Sequence, residues 1–269
     1  MDTIRIFVGT DRWQQATRAE EVLEYSIRKH LGKDHDVDIT FMRSGDPGWE
    51  ISENGKGDTW AAGAGVHGGW VKAPGMNWGT PFSWFRFAVR ELCGFEGHAI
   101  YLDSDMLFLD DVAELYKLQP RDAGYRSVSM ARTDVSVINC EWFKDKKWWP
   151  SLEQMKATRA RVFEYTRMMR FHDAIEDTLP AEWNDCDGRL YSSGPNKAKL
   201  IHYTSVPDGQ PWRPYDNVEY PREWPFCRTQ AIGVLWFTQF YEMLNDKYGD
   251  KKVTEMYVQM SGRPAEVNA

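Results

Sequence analysis

The chain is 269 residues long and carries 33 Lys and Arg against 40 Asp and Glu, for a formal net charge of −7. Hydrophobic residues make up 42% of it and charged residues 27%, which excludes a disordered or membrane-embedded chain, while the acidity argues against a surface built mainly to hold a polyanion. That length suits one large α/β domain, residues 1–269, with elaborated loops.

In chain order, residues 4–10 (IRIFVGT) form a β-rich run that stops at Gly9 and Thr10. The next segment sets Ala19, Val22, Leu23, Ile27 and Leu31 at helical spacing before Gly32. Residues 36–43 (DVDITFMR) alternate as a second strand, and this order of elements predicts a βαβ unit in a largely parallel sheet. Residues 44–80 lose all periodicity, and 54–80 alone hold eight glycines, which predicts a long loop of the kind used as a lid or a substrate contact. Within it GAGVHG, residues 63–68, matches the GxGxxG fingerprint but has no strand before it and no helix after it, so no dinucleotide site is expected.

From Pro81 a helix is predicted, with Phe82, Phe85, Ala88, Val89 and Leu92 on one face and Gly94 as its stop. Residues 99–103 (AIYLD) read as a buried strand, and 127–143 alternate like one or two more. A capping-box pair, Ser151 with Gln154, opens a long helix running to Phe171. Residues 200–205 (LIHYTS) are a short strand, and the segment 205–269 is rich in Pro and Trp before a last helix that stops at Gly249.

Cys93, Cys140, Cys186 and Cys227 lie more than 40 residues apart without a CxxC pair and read as free thiols of a reducing compartment. The chain starts directly in a strand and no stretch approaches 18 apolar residues, so it reads as cytoplasmic and without a transmembrane segment. Of its 13 Trp, Trp49, Trp60, Trp70, Trp78, Trp212 and Trp224 fall in loop-like segments. An indole there either offers a flat face to a sugar or base or covers core beneath the loop.

The strand of residues 99–103 ends on Asp103, and Asp105 follows one residue later. Side chains at i and i+2 of an extended segment face the same way, so both carboxylates can aim at one point past the strand's C-terminal edge, where open α/β sheets bind ligands. Two carboxylates converging there repel each other unless a cation lies between them. Mg²⁺ and Mn²⁺ are held in this manner, by one or two carboxylates and the phosphates of a substrate. The chemistry this suits is departure of a diphosphate, its growing charge offset by the metal, and a nucleotide-sugar donor meets that requirement.

The longer run YLDSDMLFLDDVAELY, residues 101–116, resembles the metal-binding segment of the glycogenin-like, family 8 retaining glycosyltransferases of GT-A fold, and the likeness covers most of the chain. IFVGTD with SIRKH resembles their first strand and helix, VINCEWF a strand of their sugar pocket, and LPAEWN (179–184) a Leu-Pro element ending in Asn. LIHYTS with QPW (200–212) resembles their closing segment, whose histidine is the third metal ligand. The resemblance implies a GT-A type α/β fold, mostly parallel and flanked by helices, and a metal set of Asp103, Asp105 and His202. It also implies donor contacts from Thr10, Asp11, Arg86, Asp103, Ser104 and Trp212. A neutral imidazole beside two carboxylates suits Mn²⁺ somewhat better than Mg²⁺. The expected activity is transfer of a hexose from a UDP-sugar to a saccharide, a lipid-linked glycan or a protein, with retention. A modified base in DNA is an alternative acceptor, and a non-catalytic carbohydrate-binding module an alternative function.

The departures from the family are local. Its closing lysine, which contacts the diphosphate, is Gln210 here, leaving Lys197, Lys199 or Arg213 as substitutes. Its Asn-Ala-Gly is Arg132, Thr133 and Asp134, so the sugar pocket differs. The Asp-Gln pair near its anomeric carbon has no clean match between Glu153 and Thr178; Asp134, Asp173 and Glu176 are the carboxylates available for catalysis beside Asp103 and Asp105.

Overall fold

The computed structural model describes residues 2–11, 16–44, 84–157, 162–204, 210–212 and 231–252. The predicted glycine-rich lid, its GxGxxG match, Cys227, Arg213 and all the loop tryptophans except Trp212 lie outside them. The opening βαβ unit is present: β1 (Asp2–Asp11) pairs in parallel with β2 (His35–Ser44) along ten residues, and α1 (Ala16–His30) connects them. On its other side β1 pairs in parallel with β3 (His98–Asp103).

The main sheet is completed by β6 (Val135–Asn139), β5 (Tyr125–Arg126) and β7 (Ile175–Glu176), in the order β2-β1-β3-β6-β5-β7. Only β6 runs against the rest, being antiparallel to both β3 and β5. A second sheet, β4-β9-β8, is formed by β4 (Met106–Phe108), β9 (Leu200–His202) and β8 (Asp185–Cys186). The architecture is the mixed, mostly parallel α/β arrangement expected.

Burial on both faces explains why β1 and β3 read as continuous apolar runs. Ile4, Ile6, Val8, Ile100 and Leu102 pack with Leu23 and Ile27 of α1 on one side, while Phe7, Ala99 and Tyr101 meet Phe85, Phe87 and Phe143 on the other. The C-terminal helix α7 (Ala231–Tyr248) lies against α1: Val22, Trp236 and Met243 share a cluster, and Lys29 Nζ pairs with Glu242 at 2.5 Å. Gly249, with φ 78°, ends it as predicted. The described residues include no helix long and apolar enough to cross a membrane.

Several elements differ from the sequence expectation. The helix after Pro81 is a 3-10 turn (Phe85–Phe87) followed by the four-residue α2 (Val89–Leu92), and Leu92 is exposed rather than facing the core. Residues 127–143 give one strand, β6, within the one or two expected, and end in a 3-10 turn over Glu141–Phe143. The long helix is described as α4 (Leu152–Ala157) and α5 (Val162–Phe171), with α3 (Val112–Tyr116) before them and α6 (Arg189–Ser193) after. Its capping box forms as read: Ser151 N–H donates to Gln154 Oε1 at 2.8 Å and Gln154 N–H to Ser151 Oγ at 3.2 Å.

Gly124, at the entrance to β5, carries the closest packing. A methyl group there would collide with the ring of Phe143, which is itself wedged between Tyr125 and Trp149. Gly124→Ala should therefore lower stability by about 3 kcal/mol, at the upper end of ordinary overpacking costs. Chemical denaturation checks this, and an unchanged midpoint would mean that Phe143 can move.

Candidate active site

Topology brings the site residues together at the C-terminal edge of β3. Gly9 of β1 is the register partner of Asp103, and Ser104 N–H donates to Gly9 O at 3.1 Å, so Thr10 and Asp103 end their strands side by side. Ser104 and Asp105 form a bend that hands the chain from the main sheet to β4. There Met106 pairs with His202, and Tyr203 N–H donates to Asp105 O at 2.9 Å, which fixes the imidazole next to the bend. Leu102 pairs with Val135, so Asp134 faces Asp103 across the strand pair. Cys186 of β8 is the parallel partner of His202, and this places Asn184, just before β8, beside the ring.

One donor atom from each of Asp103, Asp105 and His202 lies within 4.8 Å of the others. His202 Nε2 is 3.1 Å from Asp105 Oδ1, yet that buried oxygen makes no hydrogen bond among the described residues. This geometry fits a divalent cation. Adjacent donors of an octahedral ion bound at about 2.1 Å are about 3 Å apart, and an oxygen left without a proton donor is free to take a metal. Charge agrees: once a metal displaces the His202 proton, Asp103, Asp105 and Asp134 face only Arg86 and the part-exposed Arg132, which leaves the cluster net negative for a divalent ion to offset.

The partners of each group are specific. Arg86 NH2 donates to both oxygens of Asp103 at 3.1 and 3.2 Å, NH1 donates to Thr133 Oγ1 at 3.2 Å, and the guanidinium carbon sits 5.0 Å from the Tyr101 ring centroid. Tyr101 OH donates to Asp103 Oδ1 at 2.8 Å. Burial pushes the Asp103 carboxyl up to about 6, with Arg86 pulling it down and Asp105 adding to the rise. Burial would also raise Asp134, but the hydrogen bond and charge of His202, then Arg86 and Arg132, hold it below the ordinary carboxylate range. For His202, burial works against the charged ring, and Asp105 and then Asp134 more than offset this, so its pKa lies well above the usual value in the absence of metal. A divalent ion would take the place of that proton.

Not every residue singled out from the sequence arrives here. Thr10 is fully buried at the end of β1, with Oγ1 unpartnered among the described residues, and the backbone of Asp11 follows it beside Ser44. Trp212 belongs to the core: its ring packs between Tyr203 and Trp236 and has no open face for a base or sugar. Asp173 is an exposed residue in a left-handed turn, φ 50°, before β7. The Ile175–Tyr125–Ile138–Ala99 row puts that turn at the opposite edge of the sheet from Asp103, which lies about 13 Å further along β3 at about 3.3 Å per residue. The structure thus corrects the reading of Asp173 as a catalytic carboxylate. Glu176 accepts the backbone N–H groups of Arg121 and Asp122 at 2.8 and 2.9 Å, holding a turn rather than facing the site.

Gln210 is aimed at the metal group itself. Its Nε2 donates to Asp105 Oδ2 and to Tyr203 O, both at 3.2 Å. Lys197 and Lys199 precede β9, at the opposite end from His202, and Lys199 is engaged with Asp110 and Glu182. Sequence reasoning noted Asn184 only as the last residue of LPAEWN. Its contacts with His202 and Asp134 depend on β8 pairing with β9, which a two-residue strand does not announce.

The folded arrangement is that of GT-A glycosyltransferases. No protein-family sequence model matches the chain, and no curated protein sequence does either. Among solved structures, the bifunctional glycosyltransferase WbbM superposes with a TM-score of 0.57 at 14% identity, covering 94% of this chain and 51% of that one. The glycosyltransferase GlyE of Streptococcus pneumoniae gives 0.55 at 15% identity, covering 99% of this chain and 66% of that one. The galactosyltransferase LgtC, solved with donor and acceptor sugar analogues, gives 0.50 at 14% identity and covers 89% of this chain and 95% of that one. The chain thus spans about half of WbbM and just under two thirds of GlyE, and at these identities the likeness establishes the fold.

Proposed function

We propose that the chain is a metal-dependent glycosyltransferase that moves a hexose from a nucleoside diphosphate sugar, a UDP-sugar by preference, to an acceptor hydroxyl with retention of configuration. The observation that carries this reading is the convergence of Asp103, Asp105 and His202 at the C-terminal edge of β3, with a buried Asp105 oxygen that faces His202 Nε2 but makes no hydrogen bond among the described residues. Three solved glycosyltransferases of the same fold support it.

In this reading Asp103, Asp105 and His202 hold Mn²⁺ or Mg²⁺. The bound ion supplies Lewis acidity that offsets negative charge gathering on the departing diphosphate. Arg86 acts from beneath, fixing both oxygens of Asp103 so that the carboxylate keeps one orientation. Gln210 does the same for Asp105 through Oδ2. Thr10, whose buried hydroxyl near the end of β1 has no hydrogen-bond partner among the described residues, and Asp11 after it serve the nucleoside, and Ser104 lines the diphosphate side. LgtC was solved with sugar analogues as donor and acceptor, and a glycan is the acceptor class proposed here by analogy; a lipid-linked glycan or a protein would present the same kind of hydroxyl.

Calorimetric titration with UDP tests the metal requirement. UDP should bind at least tenfold more tightly with Mn²⁺ than with chelator, because the carboxylates repel the diphosphate until a cation intervenes. Equal affinity in the two conditions would remove the metal from the account.

A further inference from the structure

His202 is gripped from its far side. Its Nδ1 lies 3.0 Å from Asp134 Oδ2 and 3.0 Å from Asn184 Oδ1, while Asn184 Nδ2 donates to Asp134 Oδ1 at 3.2 Å. The orientation of the Asn184 amide follows from its neighbours: its NH₂ faces an oxygen of the Asp134 carboxylate, which leaves Oδ1 toward His202, with the Cys186 thiol 3.4 Å from the Asn184 carbonyl and 3.6 Å from Oδ1. Both groups at Nδ1 are therefore acceptors. One imidazole proton therefore belongs on Nδ1, and Nε2 faces Asp105 Oδ1, 3.1 Å away, the side on which a cation would replace the second proton. Asp134, Asn184 and His202 are all buried, so the ring has little room to turn over and present the other nitrogen.

We propose that Asp134 and Asn184 are positioning residues that lock His202 in the Nδ1–H form and so create a metal-ready Nε2. This rests on the metal site proposed above and replaces a direct catalytic role for Asp134. The physical need is general: a histidine that binds a metal through one nitrogen donates the other N–H to a carboxylate or carbonyl, which fixes the tautomer and raises the basicity of the ligand. Asp134 makes this contact from the start of β6 and Asn184 from the entry to β8, so the ring is clamped from two strands of different sheets.

The test is a double-mutant cycle on Mn²⁺ affinity, read from the spin-resonance signal of free Mn²⁺. In Asp134→Asn an NH₂ group replaces one acceptor oxygen while His202, Asn184 and Arg132 all present donors, so His202 or Asn184 loses its acceptor. Mn²⁺ affinity should fall ~10-fold to 100-fold, the usual cost of losing such an outer partner. In a His202→Ala background the same change should alter affinity less than about twofold, because Asp134 acts through the ring. Unchanged affinity in Asp134→Asn, or an equal loss in both backgrounds, overturns the proposal. Wild-type protein loaded with Cd²⁺ gives an independent readout that no variant's folding can blur: ¹⁵N shifts should show His202 protonated at Nδ1 and metal-bound at Nε2, and the reverse pattern contradicts the clamp. A wild type that takes up neither ion removes the metal site and this inference together, whereas normal uptake with an indifferent Asp134 removes the clamp alone.

Discussion

Asp105→Ala should abolish metal-dependent turnover while leaving the metal-free protein about as stable as the wild type. Asp105 carries the oxygen that has no hydrogen bond among the described residues, and it faces Asp103 and His202 across the gap a cation would fill. Removing it costs the contact from Gln210 at 3.2 Å, worth about 1 kcal/mol, and the pairing with His202 at 3.1 Å, but it relieves repulsion with Asp103 and lets the buried imidazole shed its proton, so the opposing effects nearly cancel. The thermal midpoint without metal should stay within about 4 °C of wild type, the shift that about 1 kcal/mol gives in a domain of this size. Function should respond very differently. At a Mn²⁺ concentration about 100 times its Kd the wild type gains ~2.7 kcal/mol of stability and the variant gains none. Turnover should fall by a factor of about 100 or more, equivalent to ~2.7 kcal/mol of lost transition-state stabilisation. A variant that kept both activity and the Mn²⁺-induced rise in melting temperature would show that the carboxylate holds no metal.

Arg86→Met should have the opposite profile, with stability lost first. The guanidinium is buried and bonded to both oxygens of Asp103 and to Thr133, so methionine fills much of its volume but strands a carboxylate only 14% exposed, with Tyr101 as its remaining donor among the described residues. Breaking a buried pair on one side typically costs about 3–5 kcal/mol. The melting temperature should drop by about 10 °C. Mn²⁺ affinity should fall with it, because Asp103 is then free to turn or to keep its proton. Arg86→Lys keeps the charge but loses the fork, and its loss should be intermediate. Differential scanning calorimetry of the two variants checks the order, and a Met variant as stable as wild type would mean that Asp103 is not held by Arg86.

The elements that place the metal group were legible because they are long or closely spaced. β1, α1 and β2 carry enough residues for their periods to show, and the run from Tyr101 to Tyr116 keeps the paired aspartates, the following strand and the Asp111 cap within one local pattern; Asp111 indeed accepts the Ala113 N–H at 2.8 Å. His202 was legible only through resemblance, since a histidine on a three-residue strand has no local signature. The links between these segments were not. Arg86 was expected only as a donor contact within a predicted helix, but that segment is a 3-10 turn and the four-residue α2, and the guanidinium turns inward to Asp103.

Asp173 shows the same limit from the other side. A carboxylate near a short strand looks alike at either end of a sheet, and only the register of β7 against β5 reveals that this one lies at the far edge. Gln210 read as a lost lysine because the contact it makes, with Asp105, joins residues 105 positions apart. The sequence left Trp212 open between a stacking indole and a cover for the core, because the burial that decides it depends on Trp236 of α7.

The most direct test of the central claim is release of UDP or GDP from a panel of nucleotide sugars, measured with Mn²⁺ and with chelator, on the wild type and on Asp105→Ala. The account predicts release from one donor, dependent on the metal and lost in the variant. Nucleotide release that continues undiminished in chelator, or no release and no metal-dependent nucleotide binding with any donor, would contradict it.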